Sequence, residues 1–511
     1  MNQKFLRIIA LALVSLMLLL AVACAETPDP VETTEGGQVE GDVTTGNKPG
    51  PGNTVTTGEV TTRTPHDVPA NLDIGKEVTV LYWSDVEMPE FEQETPSING
   101  VENAIYKRNT KTAEFLGLEK LSWVGVPGNH GQKEEFTEHV GNSYNAGDRK
   151  YDIIATYSRT AGHCMIEGYF VDLETIDDTH IDLEKPWWPK SLVDTVMIDD
   201  AIYFLSGDIS TNALHMMYAF FCNTTMQGEL KLPDPVALAI SKEWTLPKFM
   251  SIVEGVFLEQ NGDDKPSVGD RYGFVTEQLH VDAFYAGSNL RMIESDVDDI
   301  LVLSKDFTST KLTTLINDLS EFIFSADCWA GSSEAQFVDK NALFTQNRMY
   351  LADRKLTKVE FKYACLPTPM YDERQGTYYT TVANPVTLWG IMRDVENDPE
   401  FLVDCTAVLE ILAYYGYCET SPQIFEVNMK VKYSDEENAD TVQCFDLIRD
   451  GLVWDLGRIF PNTEMGDYMN ELVSRVIVKK LDWASARQTN LMMYRTNLKA
   501  VVKKIQKNNN K

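Results

Sequence analysis

The chain has 511 residues, 43% of them hydrophobic and 10% aromatic, a globular composition long enough for two or three ordinary domains. It carries 77 acidic against 45 basic residues, a net charge of −32. That balance argues against nucleic acid and anionic membrane as partners of the folded body, since both need a basic face.

The first 23 residues read as a signal peptide: Lys4 and Arg7 open it, and Ile8 to Ala23 is apolar except for Ser15. That apolar run is shorter than the ~20 residues a membrane-spanning helix needs. Leu20-Ala21-Val22-Ala23 before Cys24 resembles a bacterial lipobox, with the leucine one place further from the cysteine than usual. The resemblance implies that Cys24 becomes the lipidated (palmitate-type diacyl) first residue of the mature protein, and two chains suffice for stable anchoring. Residues 24–70 are rich in Thr, Gly, Pro and Glu, and no aromatic residue occurs between Phe5 and Tyr82. Such a stretch cannot bury enough apolar surface to offset its ordering entropy, so it is expected to be a disordered linker.

The body starts near residue 71. "KEVTVLYWSD" (76–85) reads as a strand, "GVENAIYKRNTKTAEFLG" (100–117) as a helix and "LEKLSWVGV" (118–126) as a strand. "GQKEEFTEHVGNSYNAG" (131–147) is a second helix with an Asn/Gly stop, and "KYDIIATYS" (150–158) a third strand. Strand alternating with helix predicts a parallel sheet covered by helices, with ligands at the carboxyl ends of its strands. Those ends are Tyr82-Trp83-Ser84 and Thr156-Tyr157-Ser158-Arg159. Further on, Asp398-Pro399 is a helix start, followed by an apolar stripe of Phe401, Leu402, Cys405, Val408, Leu409 and Leu412.

"RKYDIIATYSRTAGHCMIEGYFVDLETI" (149–176) resembles the family 1 extracellular solute-binding proteins of ABC importers, in which a Tyr-Asp-apolar-apolar strand, a helix and Gly-Tyr-Leu-x-Asp-Leu follow one another, here with Phe170 at the leucine. The likeness continues through "WWPKSLVDTVMIDDAIYFLSGDIS", through Asn223, Pro235, Trp244 and Thr245, through "ALFTQNRMYL" with Phe344 and Arg348, and through "KVEFKYACLPTPMYDERQGTYYT". It covers most of residues 75–425. It implies a two-lobed α/β fold of the type II periplasmic-binding-protein kind, each lobe a mixed sheet flanked by helices with the ligand cleft between lobes. Residues 71–205 and 343–388 are expected to form lobe 1, and 206–342 and 389–511 lobe 2.

The implied function is capture of a small solute, mono- or oligosaccharide by the family's habit, by hinged closure and its delivery to the transmembrane subunits of a permease. The chain would act as a monomer without cofactor or metal, anchored by lipid on the outer face of a Gram-positive type of cell. Sugars offer apolar ring faces and polar edges, so the expected ligand-binding residues are aromatics with charged neighbours near strand ends and crossings. They are Trp83, Tyr157, Ser158, Arg159, Asp208, Asp353, Arg354, Tyr378 and Trp389, with Trp329 on a loop-like insert as a lid. Trp187 and Trp188 read as packing between lobes.

Two other readings stay open on the residues alone. A secreted glycoside hydrolase would need two carboxylates flanking the scissile bond, and 77 acids do not single out a pair. A ligand sensor without transport would use the same jaw. No G-x-S-x-G, H-E-x-x-H or Walker loop occurs, and the seven histidines have no metal-ligand spacing. "ESDVDD" (294–299) lacks the glycine and distal glutamate of a calcium loop. Eight dispersed cysteines with no C-x-x-C predict no disulfide framework.

Overall fold

The computed structural model describes residues 64–198, 200–297, 300–425, 439–460 and 469–509. The signal peptide, Cys24 and most of the linker lie outside the described residues. The linker's last residues are packed on the body: Val68 is buried, and the His66 ring sits 4.7 Å from Phe115 and 4.6 Å from Tyr414.

The first lobe begins as its sequence implies. Strand β1 (Glu77–Trp83) leads to helix α1 (Gly100–Phe115), whose N-cap Asn99 accepts from the amides of Val101 and Glu102. Strand β2 (Lys120–Val126), helix α2 (Lys133–Ala146), strand β3 (Ile153–Tyr157) and helix α3 (Ser158–Glu167) follow. Helix α3 stops at Gly168, whose φ of 80° is the left-handed cap that glycine adopts without strain. After a first crossing that holds the short helix α4 (Thr211–His215), the chain builds a second sheet. Its parts are β4 (Tyr218–Asn223), helix α5 (Leu246–Val253), β5 (Tyr272–Thr276), helix α6 (Thr310–Ile323), β6 (Cys328–Ala330), β7 (Ala342–Arg348), the short helix α7 (Tyr350–Arg354) and β8 (Tyr363–Leu366). The chain then crosses back to β9 (Thr387–Ile391) and helix α8 (Pro399–Tyr415). Helices α9 (Ala439–Asp450), α10 (Leu456–Ile459), α11 (Met469–Val478) and α12 (Trp483–Asn509) complete it.

The first sheet has the order β9-β3-β1-β2, with β1 parallel to β2 and β3, and β9 antiparallel to β3. The second has the order β8-β4-β7-β5-β6, with β5 parallel to β6 and β7, and β4 antiparallel to β7 and β8. This topology corrects the expected lobe boundaries. Residues 343–366 belong to the second sheet, because β7 and β8 hydrogen-bond beside β4. Residues 387–415 belong to the first lobe, because β9 pairs with β3 and α8 packs on α1. Trp187 and Trp188 are corrected too. Their indole N–H groups donate to Glu410 on α8 at 3.1 and 2.8 Å, inside the first lobe, and Trp187 packs on Tyr414 and Tyr417.

The second lobe is held by an aromatic cluster. The Phe249 ring lies 5.1 to 5.6 Å from Phe220, Phe274, Phe322, Phe344 and Trp244, so one α5 side chain touches β4, β5, β7 and α6. Helix α12 packs on both lobes. Tyr494 meets Phe307 in the second, while Lys504 pairs with Glu167 at 2.6 Å and the Asn508 amide donates to the Ile166 carbonyl at the end of α3 in the first.

The crossings lie side by side. Leu205 pairs with Trp389, and Met217 with Val382. Buried Arg108 of α1 donates to the Ile209 carbonyl of the first crossing at 3.0 Å, and to the Glu90 carbonyl at 2.7 Å. The Glu90 carboxylate accepts from the hydroxyls of Ser210 and Thr387, one in each crossing, and Thr387 Oγ1 accepts from Trp83 Nε1 at 2.9 Å. Burial pushes the Glu90 carboxyl up to about 7, opposed by those hydroxyls and by Arg108. Glu410 is pushed up to about 7 by burial as well, against its two indole donors.

Replacing Phe249 with Ala is expected to cost about 3–5 kcal/mol by the large-to-small core rule. A urea titration would show it as a lower midpoint at unchanged slope. The exposed Leu258→Ala should stay within about 0.5 kcal/mol. Both raised carboxyls bind protons more tightly in the folded chain than in the unfolded one. Their contribution is present below the ordinary carboxylate range and is lost as pH rises toward 7. The melting temperature should therefore fall between pH 5 and pH 8. The fall should be shallower in E90Q and shallower still in E90Q/E410Q; an unchanged slope in the double variant would refute the assignment.

Candidate functional site

The carboxyl ends of β1 and β3 in one lobe face the ends of β5 and β7 and the start of β4 in the other, because both crossings join the sheets along those edges. This is where an open α/β sheet presents a ligand site. Polar side chains from both lobes meet there.

From the first lobe come Glu87, on the loop after β1, and Tyr157-Ser158-Arg159, at the junction of β3 and α3. Arg348 at the end of β7 crosses to Glu87, its Nη1 donating to both carboxylate oxygens at 3.0 and 2.9 Å. The Arg348 guanidinium lies 4.3 Å over the Tyr350 ring, whose hydroxyl donates to Glu334 at 2.7 Å. Arg159 reaches the other way: its Nη2 donates to Glu471 of α11 at 2.9 Å. With its amide oxygen turned to Arg159, Asn384 of the second crossing accepts from Nε and Nη2 at 2.9 and 2.7 Å. Ser158 Oγ donates to the Asn384 carbonyl at 2.8 Å. Arg458 of α10 donates to Asp282 at 2.7 Å. Tyr157 lies within reach of the charges of Arg159, Arg458, Glu471 and Glu87, and burial raises its phenol. Tyr218 lies within reach of Asp282, Arg458 and Arg348. His280 is kept neutral, its imidazole lowered to about 3 chiefly by burial.

The lobes are closed on each other here. Two cavities in this layer, one beside Asp282 and Trp454 and one beside Ser158 and Asn384, hold about 10 Å³ each, room for a water molecule. A larger cavity of about 360 Å³ lies between Met88, Pro89 and the start of α1 on one side and Asp353 and Arg354 on the other. Among the described residues no group of His, Cys, Asp or Glu is placed to hold a metal ion.

The sequence-derived candidates divide. Tyr157, Ser158 and Arg159 stand in the interlobe layer. Asp353 and Arg354 line the neighbouring cavity, with Asp353 3.9 Å from His215. Asp208 is bonded to Ser421 and lines a separate cavity of about 330 Å³ with Gly207, Pro189 and Arg449 beside the crossing. The others are placed elsewhere. Trp83 and Trp389 are buried to 1% and 0% exposure in the first lobe, Trp83 held by Thr387 and Trp389 packed on Phe91 and Trp123. Tyr378 is buried in the second lobe, its hydroxyl donating to the Ala239 carbonyl. Trp329 is on the edge strand β6, not a loop, and packs on Tyr272. Sequence reasoning missed Glu87, Tyr350, Asp282, Arg458 and Glu471. Arg348 stood in a quoted motif without a ligand role, and its charge amid the buried run of β7 was the one available signal.

No family model and no curated protein matches the chain. Solved structures do. A cyclo/maltodextrin-binding protein complexed with maltotetraose matches 83% of this chain and 97% of its own length at 13% identity, with a TM-score of 0.53. An ABC substrate-binding protein of Listeria monocytogenes in complex with cycloalternan matches 84% and 99% at 11% identity and a TM-score of 0.52. The GacH receptor of Streptomyces glaucescens, solved unliganded and with acarbose, matches 84% and 99% at 11% identity and 0.51. The fold of this chain is thus the two-lobed type II periplasmic-binding-protein fold.

Proposed function

We propose that the chain is an extracellular solute-binding subunit of an ABC importer, held to the membrane by a lipid on Cys24, that captures an oligosaccharide by closing its lobes. The observation that carries this reading is the layer of paired charges and tyrosines at facing sheet edges, contributed by both lobes beside two adjacent crossings. A jaw hinged at such crossings opens by rotation and closes over a small solute. Tyr350 supplies a ring face for a sugar, and the charged rim supplies hydrogen bonds to its hydroxyls. The solved proteins of this fold named above were caught with maltotetraose, cycloalternan and acarbose, which supports a saccharide as cargo.

A hydrolase reading is weaker on the same geometry. A glycosidase needs one carboxyl free to deliver a proton to the leaving oxygen. Glu87, Glu471 and Asp282 each accept from an arginine instead. The permease, the tether and the monomeric state complete the proposal from the sequence.

Thermal unfolding of the whole chain against a panel of mono- and oligosaccharides is the test. A sugar present at a hundred times its dissociation constant should add about 2.7 kcal/mol and be recovered uncleaved. Cleavage products would transfer the site to the hydrolases, and a shift only with peptides would change the cargo. For the anchor, Cys24→Ser should move the chain from the detergent phase to the aqueous phase in a cloud-point partition. Equal partition of both forms would remove the lipid from the proposal.

A further inference from the structure

We propose that the solute is an acidic saccharide, and that its carboxylate takes the place of Glu87 or Glu471 on the cleft arginines. This rests on the saccharide reading above and names the class of sugar.

A chain with 77 acids and 45 bases has brought three arginines into one interlobe layer from three separate elements. Arg159 comes from α3, Arg348 from β7 and Arg458 from α10. Whole-residue exposure is 2%, 8% and 8%. Guanidinium groups do not stay buried without anions, because an unpaired buried charge costs several kcal/mol. Here the protein supplies the anions from its own side chains, and two of the three come from looser positions than the arginines they serve. The Glu87 side chain is 40% exposed against 10% for Arg348, and that of Glu471 is 31% exposed against 3% for Arg159. Both pairs join a group on one lobe to a group on the other, so both must separate when the lobes open to admit cargo.

What enters then faces anchored cations. A neutral sugar that displaced Glu87 would leave buried Arg348 facing hydroxyls in place of its carboxylate. A uronic acid would restore the charge balance with the bidentate geometry that guanidinium prefers. Among the described residues, Arg348 Nε and Arg458 Nε and Nη2 are buried without a hydrogen-bond acceptor. Carboxylate oxygens carry the acceptors such donors lack. Tyr350, with Arg348 already over its ring, offers a flat face beside that charge.

The experiment is calorimetric titration of the whole chain with oligosaccharides of three to four uronic-acid units, of several linkages, and with the same oligosaccharides after reduction of their carboxyls to alcohols. Maltotetraose serves as a further neutral sugar and citrate as a non-sugar carboxylate. At least one uronide should bind, and its carboxyl-reduced form should bind at least tenfold more weakly. The uronide's affinity should fall with added salt while that of neutral sugars does not. R159Q/R348Q should lose the preference for the uronide. R348K, which keeps the charge but not the fork, should lose part of it, and thermal unfolding without ligand would establish that both variants fold. Neutral sugars binding as tightly as uronides would overturn this proposal and leave the saccharide reading standing. Citrate binding with no sugar of either kind would overturn the saccharide reading and this proposal with it. No binding of any uronide would also overturn it.

Discussion

Arg108 donates into the backbone. Its guanidinium has no exposure to water, and its donors go to the carbonyls of Glu90, Phe91 and Ile209 and to the Asn109 side chain. The loop after β1 and the first crossing are thereby bound to the same helix. The Glu90 carboxyl lies within reach of that charge and meets Ser210 and Thr387, so the second crossing joins the same knot. Everything at the cleft is referenced to this point. Glu87 can meet Arg348 because the loop that carries it is pinned, and Ser158 can meet Asn384 because β9 starts at Thr387. A buried charged pair is a poor source of net stability, since desolvation offsets most of the attraction. It is a strong source of position, because every alternative arrangement leaves a cation in the dark.

Much of the first lobe was legible from local chemistry. Gly147 ends a helix in the left-handed region where an Asn/Gly stop stands in the sequence, and Asp398-Pro399 starts one. Strand and helix alternate through residue 157 as the periodicity implies. The division between lobes was not legible. Strands β4, β5, β7 and β8 are buried along their whole length, so no alternation of polar and apolar residues marks which sheet they join.

The cleft was half legible for a related reason. Tyr157 to Arg159 follow a strand end and stand in the interlobe layer. Trp83 is at a strand end as well, yet the crossing covers it and Thr387 takes its N–H. Arg159 meets Glu471 across 312 positions of sequence, and Arg348 meets Glu87 across 261. Neither pair has a local signature, because a salt bridge between distant segments depends on topology that spacing does not encode.

Helix α12 bears on how such a jaw can move. Two bodies joined by adjacent strands swing freely about the line through the joints. The last helix adds an attachment away from that line, seated on the second lobe through Tyr494 and on the end of α3 through Lys504 and Asn508. A stiff rod fastened to both jaws resists their parting. Parting the lobes would slide that rod along one lobe or unfasten its tip, where the Asn508 hydrogen bond and the Lys504 pair hold it. In the jaw proposed above, the contacts of the C-terminal turn with the end of α3 would be among those that opening has to break.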